Sequence, residues 1–241
     1  MSAKSRSASV GTVKKKMKNG YLIREPFEWT EKQLNIIQTI LSKKTRCVFI
    51  KGCPGVGKTE LSIYAGLMAI QRGDQERMIY MRSIVESASN KLGFLKGSIS
   101  EKTDPYFEVL EDKLSGMLNP MEIEIMKANK QIVAIPNSFI RGKDYKDTII
   151  VFDEVQNCTT HELISIISRV SENTKIVFLY DPDQSDIASK YKHDVTNFNN
   201  IFKDDESKEQ GIFSFEFNET EIKRSEFCKF VMCKLKTLQN K

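Results

Sequence analysis

The fold of this chain is decided by one stretch of sequence, GCPGVGKT, which runs from Gly52 to Thr59. The stretch fits the pattern G-x-x-x-x-G-K-[ST] in full. An apolar run, RCVFI at Arg46 to Ile50, precedes it, and a segment with helical periodicity, Lys58 to Arg72, follows it and stops at Gly73. This strand–loop–helix setting predicts a loop whose backbone N–H groups curl around phosphate oxygens.

The loop and the start of the next helix are predicted to hold the phosphates of a nucleotide. The amino end of the helix adds a partial positive charge. We expect Lys58 to reach the β- and γ-phosphates and the Thr59 hydroxyl to bind Mg²⁺. The predicted nucleotide-binding residues are consecutive: Gly52, Cys53, Pro54, Gly55, Val56, Gly57, Lys58, Thr59 and Glu60.

A second apolar run, TIIVF at Thr148 to Phe152, ends in two acids and is typical of a strand buried on both faces. It brings Asp153 and Glu154 to the carboxyl edge of a sheet, where ligands of open α/β sheets bind. We expect Asp153 to hold the metal ion through water and Glu154 to act as the general base for an attacking water. Gln156, two residues on, either couples nucleotide state to bound nucleic acid or caps the turn that Asn157 begins.

A third polar group follows the apolar run KIVFLY, Lys175 to Tyr180. Gln184 lies in the segment DPDQ directly after this run. A neutral amide at a strand end can sense a γ-phosphate without opposing its charge, whereas a plain turn is the alternative. Because it is the third strand-end polar group in order, we interpret Gln184 as a nucleotide sensor.

Strand-like runs alternate with helical segments along the chain. This alternation predicts an α/β fold of three layers, a parallel sheet with helices on both faces. A last helix is predicted from about Asn218, with Phe227, Phe230, Val231, Leu235 and Leu238 facing inward. The predicted strands cover residues 46–50, 78–84, 131–136, 148–152, 175–180 and 213–217.

Charge and composition restrict the remaining possibilities. The formal net charge is +5, but residues 1–19 carry six basic residues and no acid, so the rest of the chain is nearly neutral. We expect residues 1–20 to form a disordered basic arm, either merely solvated or in contact with phosphates, and residues 21–241 to form one domain. No apolar run approaches the roughly 18 residues of a membrane span. Five scattered cysteines and two histidines argue against a zinc site and predict free thiols in the cytoplasm.

The ordered motifs together resemble the PhoH family of P-loop ATPases, which are similar to the first RecA-like domain of superfamily 1 helicases. DEVQN resembles the family's DEAQN, DPDQSDI resembles GDxxQxDL, and Met81 to Leu114 is similar to a segment with an arginine, LGFLPG, EK and PY. Phe139-Ile140-Arg141-Gly142 and Ile222-Lys223-Arg224-Ser225 resemble its RG and terminal arginine motifs. The resemblance runs from about Thr30 to Val231. Ser83, Lys96 and Tyr180 depart from it.

The resemblance implies further site residues and ATP as the nucleotide. Gln33 resembles the glutamine that reads adenine; Gln38 and a plain solvated face are the alternatives. Arg224 resembles an arginine that completes a neighbouring site. Candidates for contacts with phosphate or nucleic acid are Arg82, Arg141 and Arg169.

The resemblance implies an oligomer, because the chain has room for only one RecA-like domain and the arginine must then come from another subunit. Arg224 or Arg169 of one subunit would then face the γ-phosphate of the next, in a ring that is plausibly a hexamer. We expect an ATP-driven helicase or translocase on single-stranded RNA or DNA, with no membrane. It would act in the cytoplasm, including a host cytoplasm if a phage encodes the chain. The alternatives are a nucleotide-dependent switch that binds a protein partner and, ranked last, a nuclease.

Overall fold

A computed structural model of the chain describes residues 20–83, 99–137, 145–187, 191, 193–223 and 225–239. Several predicted features lie outside these residues: the basic arm up to residue 19, motif residues 84–98 with Lys96, the motif 139–142 with Arg141, and Arg224. The side chains of residues 99–105, 228 and 235–239 are likewise not described.

The centre of the fold is a six-stranded sheet in which every neighbouring pair of strands is parallel. The strand order is β3-β2-β4-β5-β1-β6, so β5 lies between the strand before the phosphate loop and the strand that ends in two acids. The predicted parallel α/β fold is confirmed, with strand bounds close to those expected. The strands are β1 (Cys47–Lys51), β2 (Arg77–Arg82), β3 (Ile132–Pro136), β4 (Thr148–Asp153), β5 (Lys175–Tyr180) and β6 (Ile212–Glu216).

Helices cover both faces of the sheet, and each face has its own apolar core. On one face, α1 to α4 pack against side chains such as Val48 and Val151; on the other, α5 and α6 pack against Phe49 and Phe152. This alternation along β1 and β4 follows from the period-2 geometry of a strand. The helices are α1 (Glu31–Leu41), α2 (Lys58–Arg72), α3 (Ile99–Ser115), α4 (Pro120–Ala128), α5 (Thr160–Ile167), α6 (Asp194–Ile201), α7 (Asp205–Glu209) and α8 (Glu226–Gln239).

Capping residues fix where several helices begin. Thr30, Asn119 and Thr159 each form a capping box with the third residue of the helix that follows, which satisfies backbone N–H groups at the helix start. The box at Thr159 and Glu162 is the one that the sequence predicts. Among the described helices, none is both long and apolar enough to cross a membrane.

The carboxyl-terminal helix differs from its prediction. It begins at Glu226 rather than near Asn218, because Asn218 caps a separate short turn, Glu219–Glu221. Phe227 and Phe230 were expected to face inward, yet their exposed fractions are 76% and 60%. The inward prediction is therefore wrong for these two aromatic residues. The amphipathic pattern identified a helix but not the surface that its apolar side meets.

Candidate nucleotide-binding and catalytic site

The carboxyl edge of the sheet forms a cleft of about 770 Å³. The ends of β2, β4 and β5 and the loop after β1 all contribute residues to it, as expected where parallel strands end at one edge. The structure thus brings most of the predicted site residues into one cavity. Those that line it are Pro54, Gly55, Gly57, Lys58, Thr59, Glu60, Arg82, Asp153, Glu154 and Gln184.

The phosphate loop is built by close backbone packing. Gly57 has a φ of 80°, in the left-handed region that favours glycine. A Cβ added at Gly52 would lie 2.8 Å from the Cβ of Phe217, so this position also has no room for a side chain. Cys53 and Val56 are buried beneath the loop. Glycine conformations and buried neighbours therefore set the shape of the loop.

Lys58 points back across the loop. Its Nζ donates to the carbonyl oxygens of Gly52, at 2.5 Å, and Cys53, at 3.1 Å. Burial lowers the pKa of Lys58, and the nearby Asp181 and Asp153 partly oppose that change. A half-buried ammonium group at the start of α2 is well suited to bind a phosphate, whose negative charge exceeds the partial charges of the loop carbonyls.

The metal-binding residues predicted from the sequence meet in the structure. Thr59 Oγ1 donates to Asp153 Oδ2 at 3.0 Å, and Tyr80 donates its hydroxyl to the same oxygen at 2.9 Å. Burial, reinforced by Asp153, raises the pKa of Tyr80, so its hydroxyl remains a donor. The described residues contain no cluster of three or more His, Cys, Asp or Glu side chains that could hold a metal ion. One hydroxyl and one carboxylate fit Mg²⁺, which takes few protein ligands and fills other positions with water and phosphate.

Glu154 is held in an unusual conformation. Its backbone φ is 58°, which is uncommon for a residue with a side chain. Each oxygen of its carboxylate has a neighbour: Gln156 Nε2 donates to Oε2 at 2.5 Å, and a guanidinium nitrogen of Arg82 lies 3.7 Å from Oε1. The side chain is thus directed by its neighbours.

Asp181 is a site residue that the sequence analysis missed. Its exposed fraction is 6%, it lines the cleft, and its Oδ2 is buried without a hydrogen-bond partner among the described residues. Burial raises the pKa of Asp181, while the N–H of Asp183 and the charge of Lys58 act against that rise. A buried carboxylate oxygen without a donor, beside the predicted metal ligands, is consistent with a cation or its water shell in the cleft. The position of Asp181 directly after a buried strand is the sequence signal that could have identified it.

Phe27, across the cleft from the acidic residues, is a second site residue that the sequence analysis missed. Phe27 lines the cavity, and a Cβ added at Gly57 would lie 3.0 Å from the Phe27 ring. Gln33, the residue predicted to read adenine, is only 1% exposed. Its amide oxygen accepts from Thr30 N at 2.9 Å, and its amide nitrogen donates to the Val56 carbonyl at 2.9 Å. Gln33 therefore supports the phosphate loop in this structure. Its predicted contact with adenine stays a prediction.

Two of the four candidate arginines, Arg82 and Arg169, are among the residues that the structure describes. Arg82 lines the cleft, whereas the Arg169 carbonyl accepts from the Tyr145 N–H at 3.4 Å, before β4 and at the opposite edge of the sheet. Arg141 and Arg224 lie outside the described residues. Lys223, next to Arg224, lines the same chain's cleft and donates its N–H to the Gly55 carbonyl at 2.9 Å.

A phosphate loop after β1, an acid pair after β4 and a glutamine after β5 define the chain as a P-loop nucleotide-binding protein of the parallel α/β class. The sequence model of a single family, described as PhoH-like protein, matches residues 28–235. The chain belongs to this family, as the resemblance of its motifs predicted.

Several relatives support the assignment. A PhoH-like protein of Synechocystis is 30% identical over 193 residues, 80% of this chain and 57% of that protein. A PhoH-like protein of Bacillus subtilis is 29% identical over 182 residues, which cover 76% and 56% of the two chains. Protein PhoH2 of Mycolicibacterium smegmatis is 28% identical over 159 residues, 66% of this chain and 36% of that protein. The matched region thus spans less than two thirds of each of these relatives.

Among solved structures, domain III of the Thermotoga maritima replication initiation protein DnaA matches 82% of this chain and 68% of its own length. The sequence identity is 17% and the TM-score is 0.34, so this likeness is too distant to support any conclusion here.

Proposed function

We propose that this chain binds ATP with Mg²⁺ and hydrolyses it. The observation that carries the proposal is the hydrogen bond of 3.0 Å between Thr59 Oγ1 and Asp153 Oδ2, which joins the phosphate loop to the acidic strand end. A carboxylate and a hydroxyl in contact, beside a half-buried lysine, form a suitable environment for a metal–phosphate complex.

Each residue has a role that follows from its position. Lys58 binds the β- and γ-phosphates and balances their charge, while Thr59 and Asp153 hold the metal ion. Bound Mg²⁺ neutralises negative charge on the phosphates. Glu154 orients a water molecule and takes its proton, and Gln184, exposed at the cleft, contacts the γ-phosphate.

The adenine base is proposed to lie against Phe27. This ring borders the cleft beside the loop at Gly57, and an aromatic face can stack on a base. Gln33 has both ends of its amide occupied, so reading of adenine by Gln33 would require it to release the Val56 carbonyl or to use its second N–H.

We further propose that hydrolysis drives a helicase or translocase on single-stranded RNA or DNA. Arg82, 39% exposed at the edge of the cleft, could contact a phosphodiester next to the catalytic acid. The other candidate function is a nucleotide-dependent switch with a protein partner, favoured by the exposed aromatic residues Phe227 and Phe230. A cytoplasmic location suits either function.

The test is the ATPase rate with Mg²⁺ alone, with single-stranded RNA and with single-stranded DNA. A motor predicts stimulation by at least one polynucleotide, reduced in Arg82→Gln. A hydrolysis rate that responds to neither polynucleotide would favour the switch. A chain that does not hydrolyse ATP under any of these conditions would contradict the proposed activity itself.

We also propose a homo-oligomer, plausibly a hexameric ring, in which an arginine acts on the neighbouring site. Such an arginine can be worth about 10³ to 10⁵ in rate. Arg224 is preferred over Arg169 because Lys223, its neighbour in the chain, contacts a phosphate loop. Since that loop belongs to the same chain, the test must separate action within a subunit from action between subunits. Mixing inactive Lys58→Met and Arg224→Ala subunits restores activity only if the arginine acts between subunits.

A further inference from the structure

Gln156 lies at the centre of a hydrogen-bond network behind the cleft. It is the middle residue of the short turn Val155–Asn157 and is 1% exposed. Its Nε2 donates to Glu154 Oε2 at 2.5 Å, and its Oε1 accepts from the backbone N–H of Asp181 at 3.1 Å. One buried amide therefore connects the acid after β4 to the loop after β5.

The loop that Gln156 contacts is the loop that carries the predicted sensor. Gln184 donates its N–H to the Asp181 carbonyl at 3.1 Å, which closes this loop into a turn. Two more bonds tie the same loop to the Gln156 turn: Ser185 Oγ donates to the Gln156 carbonyl at 3.2 Å, and Asp186 N donates to Asn157 Oδ1 at 2.9 Å. A displacement of the sensor loop would therefore pull on Gln156 directly.

The other end of the amide contacts the acid whose orientation matters most. Glu154 leaves the strand in a left-handed backbone conformation, so its carboxylate depends on side-chain contacts for its direction. The Arg82 contact is longer, at 3.7 Å, and part of the Arg82 side chain is exposed. The short contact to Gln156 is the stronger restraint, because a hydrogen bond weakens with distance.

We propose that Gln156 is a positioning residue, which aims the Glu154 carboxylate at the attacking water and transmits the position of the Asp181–Gln184 loop to it. The inference rests on the proposed function, in which Glu154 is the general base. Gln156 holds Oε2, so Oε1, which lies 3.7 Å from the Arg82 guanidinium, is the oxygen assigned to the water. When Gln184 contacts a γ-phosphate, the loop is fixed, and through Gln156 the base is fixed with it.

The decisive variant is Gln156→Glu. It keeps the size of the side chain and the oxygen that accepts from Asp181 N, but it removes the donor to Glu154. Asn157→Asp is the matched control, because it makes the same amide-to-acid change in the adjacent bond to the loop. Asn157 contacts Glu154 through its backbone N–H, which donates to the Glu154 carbonyl at 3.1 Å and is kept in this variant. We expect Gln156→Glu to lower kcat about 10-fold or more with KM for ATP within roughly 3-fold, since misaligned reacting groups lose rate rather than binding. Asn157→Asp should keep both constants near those of wild type.

The pH profile separates positioning from a general loss of structure. A protonated acid at position 156 can donate to Glu154 again, so the relative kcat of Gln156→Glu should recover as the pH falls. Gln156→Met, which has similar volume and no donor, should show the same loss of kcat without recovery at low pH. Thermal melting and nucleotide affinity identify any variant that fails to fold.

The outcomes distinguish this inference from the proposed function. A wild-type kcat in Gln156→Glu and Gln156→Met, with Glu154→Gln inactive, would overturn the positioning role and leave the ATPase proposal in place. An equal loss in Gln156→Glu and Asn157→Asp would also overturn it, because the loop contact alone would then explain the effect. A wild-type chain without ATPase activity would overturn the proposed function itself.

Discussion

The two halves of the cleft are built in different ways. The phosphate loop after β1 is shaped by backbone, with Gly57 in a left-handed conformation and a buried Val56 beneath it. The acidic half, after β4 and β5, is shaped by side-chain contacts between separate segments. Tyr80 reaches Asp153 across 73 positions of sequence, and Gln156 reaches Asp181 across 25.

This difference explains which parts of the site the sequence could predict. A loop made by consecutive residues leaves its full pattern in the sequence, so GCPGVGKT was sufficient to predict it. Short apolar runs predicted six strands for the same reason, because each run consists of consecutive residues. The identities of Asp153 and Glu154 were predicted from their place after a buried strand.

Contacts between distant segments left no comparable signal. Tyr80 looked like any aromatic residue of a buried strand, and Asp181 looked like a turn acid after β5. Gln33 was predicted from a family resemblance, yet its amide is bonded to Thr30 and Val56 in the structure. The inward prediction for Phe227 and Phe230 was wrong because a helical period shows an apolar side and not what covers it. Tertiary partners are set by packing, which one sequence does not display.

Apart from the loss of the base Glu154 itself, the largest effect is expected in the phosphate loop. Lys58→Met removes the charge that would bind the γ-phosphate and should lower kcat/KM for ATP by about 10² to 10³. Lys113→Met is the matched control, because Lys113 also lines the cleft but pairs with Glu60 at 3.0 Å. Steady-state ATPase assays of both variants measure the difference. Comparable losses in the two would mean that the cleft responds to total charge and not to Lys58 itself.

A smaller effect is expected for the thiol in the loop. Burial is the main reason that the pKa of Cys53 is raised from 9.0 to about 11. A raised thiol pKa means less thiolate below that pH, so alkylation at pH 8 should be slowed by about 10²-fold and should accelerate as the pH rises toward 11. Peptide mapping after iodoacetamide treatment measures this against the exposed Cys233. Equal rates at the two cysteines would show that the loop is open before nucleotide binds.

The smallest effect is expected for Tyr80, whose hydroxyl supports the acidic half. Tyr80→Phe removes one donor to Asp153 and should raise the Mg²⁺ concentration for half-maximal ATPase activity a few-fold, since such a hydrogen bond is worth about 0.5–1.5 kcal/mol. Tyr180→Phe is the control, because the Tyr180 hydroxyl accepts from Asn199 instead of contacting the acid. An unchanged Mg²⁺ dependence in Tyr80→Phe would remove Tyr80 from the metal site.

The most direct test of the account is the turnover of Glu154→Gln. The substitution keeps the shape of the side chain and removes the proposed base, so kcat should fall by about 10² to 10⁴ while ATP affinity stays within a few-fold of wild type. Nucleotide binding by calorimetry and hydrolysis by phosphate release are measured on the same preparation. Undiminished hydrolysis in Glu154→Gln would contradict the assignment of Glu154 and the mechanism built on it.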